Sequence, residues 1–302
     1  VFANILEGCS VGLLYLITYT AFKVYGLLPP FPAFIILLSI VLCSSIISVI
    51  QNAKSLAILG VLGGFFSPIL ISTGEGNFVL LFSYYTVLNL GILGLAWFKS
   101  WSELNLVGFM FTFIVSSLWG WQSYKLEYFY ITEFFLLLFF LFYVVIAILY
   151  AANKAKQSRY YIDTIITIGT PFITLFLQTG LVRRWPYGLA WSSLAFGVFY
   201  AVVALIIYRL RYPALKRLME VFAALALIFA TAAIPLASTG NFAVIAWAFE
   251  GLVLMYLGIK DNQMRLRLSA CALEVGSGVL FLIHYGFIQY IDVFTIRPWF
   301  DI

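Results

Sequence analysis

The chain is expected to fold as an all-α polytopic transmembrane bundle of about eleven spans. Three observations carry that expectation. Long apolar runs recur along the 302 residues, and the charges sit almost entirely between them. Hydrophobic residues make up 64% of the chain and charged residues only 10%, with a mean hydropathy of +1.06. A soluble domain carries about 25% charged residues, so too little polar surface remains here to cover a water-exposed shell. A helix needs ~20 apolar residues to cross ~30 Å of hydrocarbon. Backbone groups in lipid must bond within their own segment, so repeated apolar runs read as helices.

In chain order, the first runs are 4–27, closed by Leu28-Pro29-Pro30-Phe31-Pro32, and 33–51, followed by Lys54. Next come 55–73, closed by Gly74-Glu75-Gly76-Asn77, and 78–98, closed by Lys99. Then follow 104–122, bounded by Trp119, Trp121 and Tyr124, and 131–152, closed by Lys154 and Lys156. Span 161–179 ends before Arg183-Arg184-Trp185, and 188–208 ends at Arg209. The last three are 217–238, closed by Ser238-Thr239-Gly240, then 241–259, closed by Lys260, and 268–290. Proline, glycine, serine and asparagine dominate the turns, as their backbone preferences require. Connections this short make consecutive helices antiparallel neighbours and leave no room for a soluble catalytic domain. The whole of 1–302 is read as one transmembrane domain. It opens at Val1 without a charged leader region, and a piece of a longer membrane protein is expected.

Orientation follows from Lys and Arg counted by alternate connection. One side carries Lys54, Lys99, Lys154, Lys156, Arg159, Arg209, Arg211, Lys216, Arg217, Lys260, Arg265 and Arg267. The other carries Lys125, Arg183 and Arg184, with Lys23 and Arg297 near it. Twelve against five places the first side in the cytoplasm, the start of the chain inside and its end outside. A net charge of +5 spread this way serves topology. A nucleic-acid partner would need a basic stripe or groove, which the pattern lacks. The lipid bilayer is the one partner that composition demands.

A weak internal repeat is visible. Pro68 to Gly74 with Asn77-Phe78 is echoed by Pro235-Leu236-Ala237-Ser238-Thr239-Gly240-Asn241-Phe242. Gly26 to Pro32 is echoed by Gly180 to Pro186. Copies six spans apart keep their direction across the membrane, so repeat halves 1–152 and 161–302 would be parallel rather than inverted. Ordinary turn chemistry accounts for the echoes equally well.

Glu250 is the most informative polar residue. It stands about nine residues from either end of 241–259, where a carboxylate is costly and normally faces protein or a wet cavity. Asn89 holds a similar mid-span place in 78–98. Transporters with internal repeats build their sites near the midplane; interhelical hydrogen bonding is the structural alternative. Glu7 and Glu274 lie a turn or two inside their spans, beside Gly8 and Gly276. With Glu250 they would make a proton or cation path, or else reach the interface and pair with Arg265 or Arg267. Arg183 and Arg184, flanked by Trp185 and Tyr187, suit an anionic group or a lipid phosphate, or a plain headgroup pair. Gly63, Gly64 and Pro68 mark 55–73 as the best candidate for a broken or bending helix, with close packing as the alternative.

Catalytic chemistry finds little footing. His284 is the only histidine. Ser277 lies seven residues from it, ~10 Å along a helix, whereas a nucleophile and its base need ~3 Å. Cys9, Cys43 and Cys271 fall inside apolar runs without metal-ligand spacing and read as small buried hydrophobes. No Walker A, His-Glu-x-x-His, Cys-x-x-Cys or acidic metal motif is present, so no catalytic residue, metal or cofactor is assigned.

Leu59-Gly60-Val61-Leu62-Gly63-Gly64-Phe65-Phe66-Ser67-Pro68, with Phe82-Ser83-Tyr84-Tyr85 and Leu88-Asn89-Leu90-Gly91, resembles a known family. These are the bacterial predicted membrane proteins catalogued as domain of unknown function twenty-three thirty-nine. The likeness continues at Leu104 to Phe113, Leu118-Trp119-Gly120, Gly169-Thr170-Pro171 and Ala246 to Gly251. It implies a bacterial inner-membrane protein whose relatives are longer, and it carries no activity or catalytic residues. The expected function is transporter or flippase-like handling of a lipid-linked or amphipathic envelope component. A scaffold in an envelope-assembly complex, or a membrane-embedded acyl or glycosyl transferase, is the alternative.

Overall fold

The structure is a computed structural model that describes residues 2–71, 78–99, 101–153, 160–237, 241–260 and 264–282. They form eleven α-helices: α1 Phe2–Tyr19, α2 Pro30–Gln51, α3 Lys54–Ile71, α4 Phe78–Phe98, α5 Ser102–Ser123 and α6 Phe129–Asn153. Then come α7 Tyr160–Leu181, α8 Gly188–Leu210, α9 Lys216–Ala237, α10 Asn241–Lys260 and α11 Met264–Phe281. Each falls on one of the eleven expected runs, and no strand occurs among the described residues. Seven of the described segments are long and apolar enough to cross a membrane: Phe31–Gln51, Phe78–Phe98, Ser102–Ser123, Leu126–Ala152, Thr164–Arg184, Gly188–Leu210 and Pro213–Ala237. Helices α1, α3, α10 and α11 are not among them; Arg265, Arg267 and Glu274 share the eighteen residues of α11.

Packing divides the chain into two compact units, Val1–Leu181 with Leu210–Leu218, and Val182–Arg209 with Met219–Ile302. In the first unit an aromatic core joins α4, α5 and α6 through Phe82, Tyr85, Phe109, Phe113, Phe139 and Tyr143. Helix α3 packs by its glycines. A Cβ on Gly63 would lie 2.3 Å from the Tyr15 ring of α1, and one on Gly64 would lie 2.6 Å from Val41 of α2. Helix α1 closes with a π-helical turn, Thr20–Val24, after which Gly26 takes a left-handed φ of 61° that glycine adopts without penalty. The three cysteines correct one expectation: all are free and exposed. A thiol is apolar enough to sit on an outward face that meets hydrocarbon.

Helix α3 continues through Pro68. Proline lacks the N–H that would bond the carbonyl four residues back, Gly64. The Tyr84 hydroxyl of α4 donates to that carbonyl at 2.9 Å, and Tyr85 donates to Phe65 O at 3.2 Å. Tyr84→Phe will therefore strand a buried acceptor and cost about 1 kcal/mol. Unfolding of purified protein in mixed detergent measures this; a stability equal to wild type would show that α3 needs no such donor.

In the second unit α8 and α9 touch backbone to backbone at Gly197, and Ser193 Oγ donates to Phe229 O at 2.7 Å. Pro235 inside α9 frees the Thr231 carbonyl, which accepts from Trp247 Nε1 of α10 at 3.1 Å. Helices α10 and α11 close on their glycines. A Cβ on Gly251 would lie 2.8 Å from Glu274 Cγ, and one on Gly276 would lie 3.0 Å from the Trp247 ring. Small residues let helix backbones approach where no hydrophobic force drives them together.

Candidate functional site

Glu250 is the tenth of the twenty residues of α10. One face of α10 and the neighbouring face of α9 form an open groove of about 550 Å³, lined by Ala230, Thr231, Ile234, Ala246, Phe249, Glu250 and Val253. The walls are mainly apolar. Glu250 is half-buried, and its Oε2 is buried without a hydrogen-bond partner. A buried carboxylate oxygen is an acceptor whose desolvation goes unrepaid until a donor reaches it. The groove thus combines a largely hydrocarbon-compatible surface with a carboxylate residue in its lining.

Asn89 is fully buried in the first unit, and its hydrogen-bonding capacity is spent within the protein. Its Nδ2 donates to Tyr85 O at 2.8 Å and to Thr112 Oγ1 at 2.9 Å. Its Oδ1 accepts from the Tyr143 hydroxyl at 2.6 Å. Three helices meet at this hub.

The other sequence candidates are scattered. Glu7 accepts from Gln51 Nε2 at 2.8 Å while its Oε2 is buried and unpartnered. It belongs to the first unit, Glu250 and Glu274 to the second. Glu274 is exposed and lays its stem against Gly251. Arg267 Nε donates to Gly258 O at 3.0 Å across the α10–α11 hairpin. Arg183 and Arg184 are exposed in a short 3-10 turn, Val182–Arg184. The Ser277 hydroxyl donates to Glu274 O at 2.8 Å, while His284 lies outside the described residues, as do the side chain of Arg265 and the Ser72–Gly74 and Ser238–Gly240 turns. No cluster of three or more His, Cys, Asp or Glu side chains occurs among the described residues.

A polar cluster that sequence reasoning missed sits at one end of the first unit. Gln178 Nε2 of α7 donates to Glu133 Oε1 of α6 at 2.5 Å. A mainly apolar cavity of about 40 Å³ is lined by Ser116, Tyr124 and Thr132 among Phe82, Trp119, Phe135, Leu136 and Phe139; neither Glu133 nor Gln178 lines it. Ser116 Oγ, Tyr124 OH, Thr132 Oγ1, Glu133 Oε2 and Gln178 Oε1 are all buried without a hydrogen-bond partner. Burial and then the Glu133 carboxylate push the Tyr124 phenol up. The available signal was a Glu and a Gln each set a few residues inside the same end of consecutive apolar runs.

Residues 1–291 match the family described as "Predicted membrane protein (DUF2339)". Among curated proteins and among solved structures, nothing matches.

Proposed function

The chain belongs to the DUF2339 family of predicted membrane proteins, and from that premise we propose that it is a transporter or flippase-like protein. Its substrate is a lipid-linked or amphipathic envelope component. The groove at Glu250 carries this reading. Apolar walls from Ile234, Phe249 and Val253 suit an acyl or isoprenyl chain, and the Glu250 carboxylate in the lining suits a hydroxyl or amine on the head. With α10 as one of the eleven spans of this proposal, an ionisable group at its middle marks a substrate or ion path by default.

Two further observations support the reading. The proline-freed carbonyl on α3 accepts from the next helix through Tyr84, and the one on α9 accepts from the next helix through Trp247. This shared device coincides with the sequence echo between Pro68 and Pro235, which favours a parallel repeat of eleven spans. At the Lys-rich end, Lys54 bonds Glu103 at 2.5 Å and Lys99 donates to Asn52 Oδ1 at 3.0 Å. That end is assigned to the cytoplasm of a bacterial inner membrane, with the start of the chain inside.

Mass spectrometry of lipids co-purifying from native membranes tests the proposal. Wild type is expected to retain a specific amphipathic lipid that Glu250→Gln loses at equal folded yield. Bulk phospholipid alone in both preparations would sink it. A scaffold role is the second reading, favoured by the saturated Asn89 hub. Cysteines placed along the α10 face in a cysteine-free background, probed with water-soluble thiol reagents, separate the two. Labelling at the Glu250 face supports transport, and a face closed to the reagent supports the scaffold.

A further inference from the structure

We propose that Glu133 of α6 and Gln178 of α7 form a proton-binding site, in which Glu133 holds a proton on Oε2 and shares it with the Gln178 carbonyl. The site rests on residues distinct from the Glu250 groove and stands or falls separately from transport.

Hydrogen-bond accounting carries the inference. Gln178 Nε2 donates to Glu133 Oε1 at 2.5 Å. The other oxygens of the same two groups, Glu133 Oε2 and Gln178 Oε1, are buried and have no partner. An ionised carboxylate and an amide carbonyl are both acceptors, so neither serves the other. One proton on Oε2 turns the acid into a donor, and the carbonyl of its bonded neighbour is the acceptor at hand. A carboxylic acid and a primary amide then bond edge to edge, each donating to the other. The first of these two bonds is already formed. The terminal torsions of Glu and Gln are broad enough to bring the second pair of oxygens together. A single proton thus satisfies both orphan oxygens.

The surroundings offer no other donor. Gln178 is 2% exposed, so solvent does not serve its carbonyl. The neighbouring hydroxyls of Ser116, Tyr124 and Thr132 give no hydrogen bond to either oxygen. Among the described residues no Lys or Arg forms an ion pair with Glu133. An ionised carboxylate would therefore lack a counter-charge inside the apolar segment Leu126–Ala152. The similar pair Glu7–Gln51 makes no such demand, because Gln51 is exposed and water serves its carbonyl.

The other titratable groups on the elements around Glu133 do not take the proton's place. Burial foremost holds the Tyr124 phenol above its ordinary value, so it is neutral at pH 7. Lys125 and Glu127 are exposed. On α4, Tyr84 and Tyr85 give their hydroxyls to α3, and Tyr143 gives its own to Asn89. Glu133 lies seven residues inside Leu126, and Gln178 six inside Arg184. At 1.5 Å per residue both stand ~10 Å from the segment ends, and water at that end supplies the proton.

Infrared spectroscopy of the purified full chain in an ester-free detergent at neutral pH tests the site. Wild type is expected to show the C=O stretch of a protonated carboxylic acid. Its downward shift in deuterium oxide separates it from ester carbonyls of retained lipid. Glu133→Gln is expected to lose that band entirely at wild-type folded yield, since the new amide N–H donates where the acid did. Glu250→Gln, in the other unit, is expected to leave the band in place. Gln178→Leu is expected to move it to higher frequency, because the acid loses its acceptor. This second variant carries the test should Glu133→Gln fail to fold. A wild type without the band, or a band that survives Glu133→Gln, overturns the proposal. So does a band that Gln178→Leu leaves unmoved.

Discussion

Asn89→Ala will cost the protein about 2–4 kcal/mol of folding stability, the sum of stranded partners and a small cavity. The Tyr143 hydroxyl, which donates to Asn89 Oδ1 at 2.6 Å, loses its best acceptor, and Thr112 loses its donor at 2.9 Å. Both partners are fully buried, at 0% exposure, so water does not replace what is lost. The 3.4 Å contact between Thr112 and Tyr143 is a weak substitute. A double-mutant cycle with Tyr143→Phe checks the mechanism. Because each single change breaks the same bond, the two losses are expected to fall short of additivity by 1 kcal/mol or so. Strict additivity would show that the hub is a set of independent contacts.

Gly197→Leu will abolish folded yield, and Gly197→Ala alone will cost about 1–3 kcal/mol. A Cβ at Gly197 would stand 2.9 Å from Ala230 N, 3.1 Å from Ala226 O and 3.2 Å from Ala230 Cα. These are backbone atoms of α9, which move only if the whole helix moves. Separating α8 from α9 would also stretch the 2.7 Å bond from Ser193 to Phe229 O and open the stacking of Tyr200 on Phe229. Size-exclusion chromatography of detergent extracts reads the yield. A monodisperse Gly197→Leu protein at wild-type yield would refute the close approach. Gly91→Leu serves as a control, since a Cβ there meets nothing within 4 Å.

Much of the fold was legible before any coordinates. The eleven runs became eleven helices because helix formation in an apolar stretch is a local event. Gly8, Gly251 and Gly276, which neighbour Glu7, Glu250 and Glu274 in sequence, stand at close approaches: Gly8 faces Leu59, Gly251 faces Glu274 and Gly276 faces Trp247. Burial was harder to read. The three cysteines face outward because membrane helices are apolar on every side, so an apolar neighbourhood in sequence does not mark the buried face.

Sequence by itself determined the helices, their order, their membrane character and the family. Each of these follows from segment composition, backbone hydrogen bonding within a segment, or a match along the chain. Tertiary structure alone decided which polar groups meet. Gln178 finds Glu133 across 45 residues and Tyr143 finds Asn89 across 54. Tyr84 finds the carbonyl that Pro68 sets free. Such partners are chosen by rotation and register between helices, and an all-round apolar helix writes neither into its own sequence.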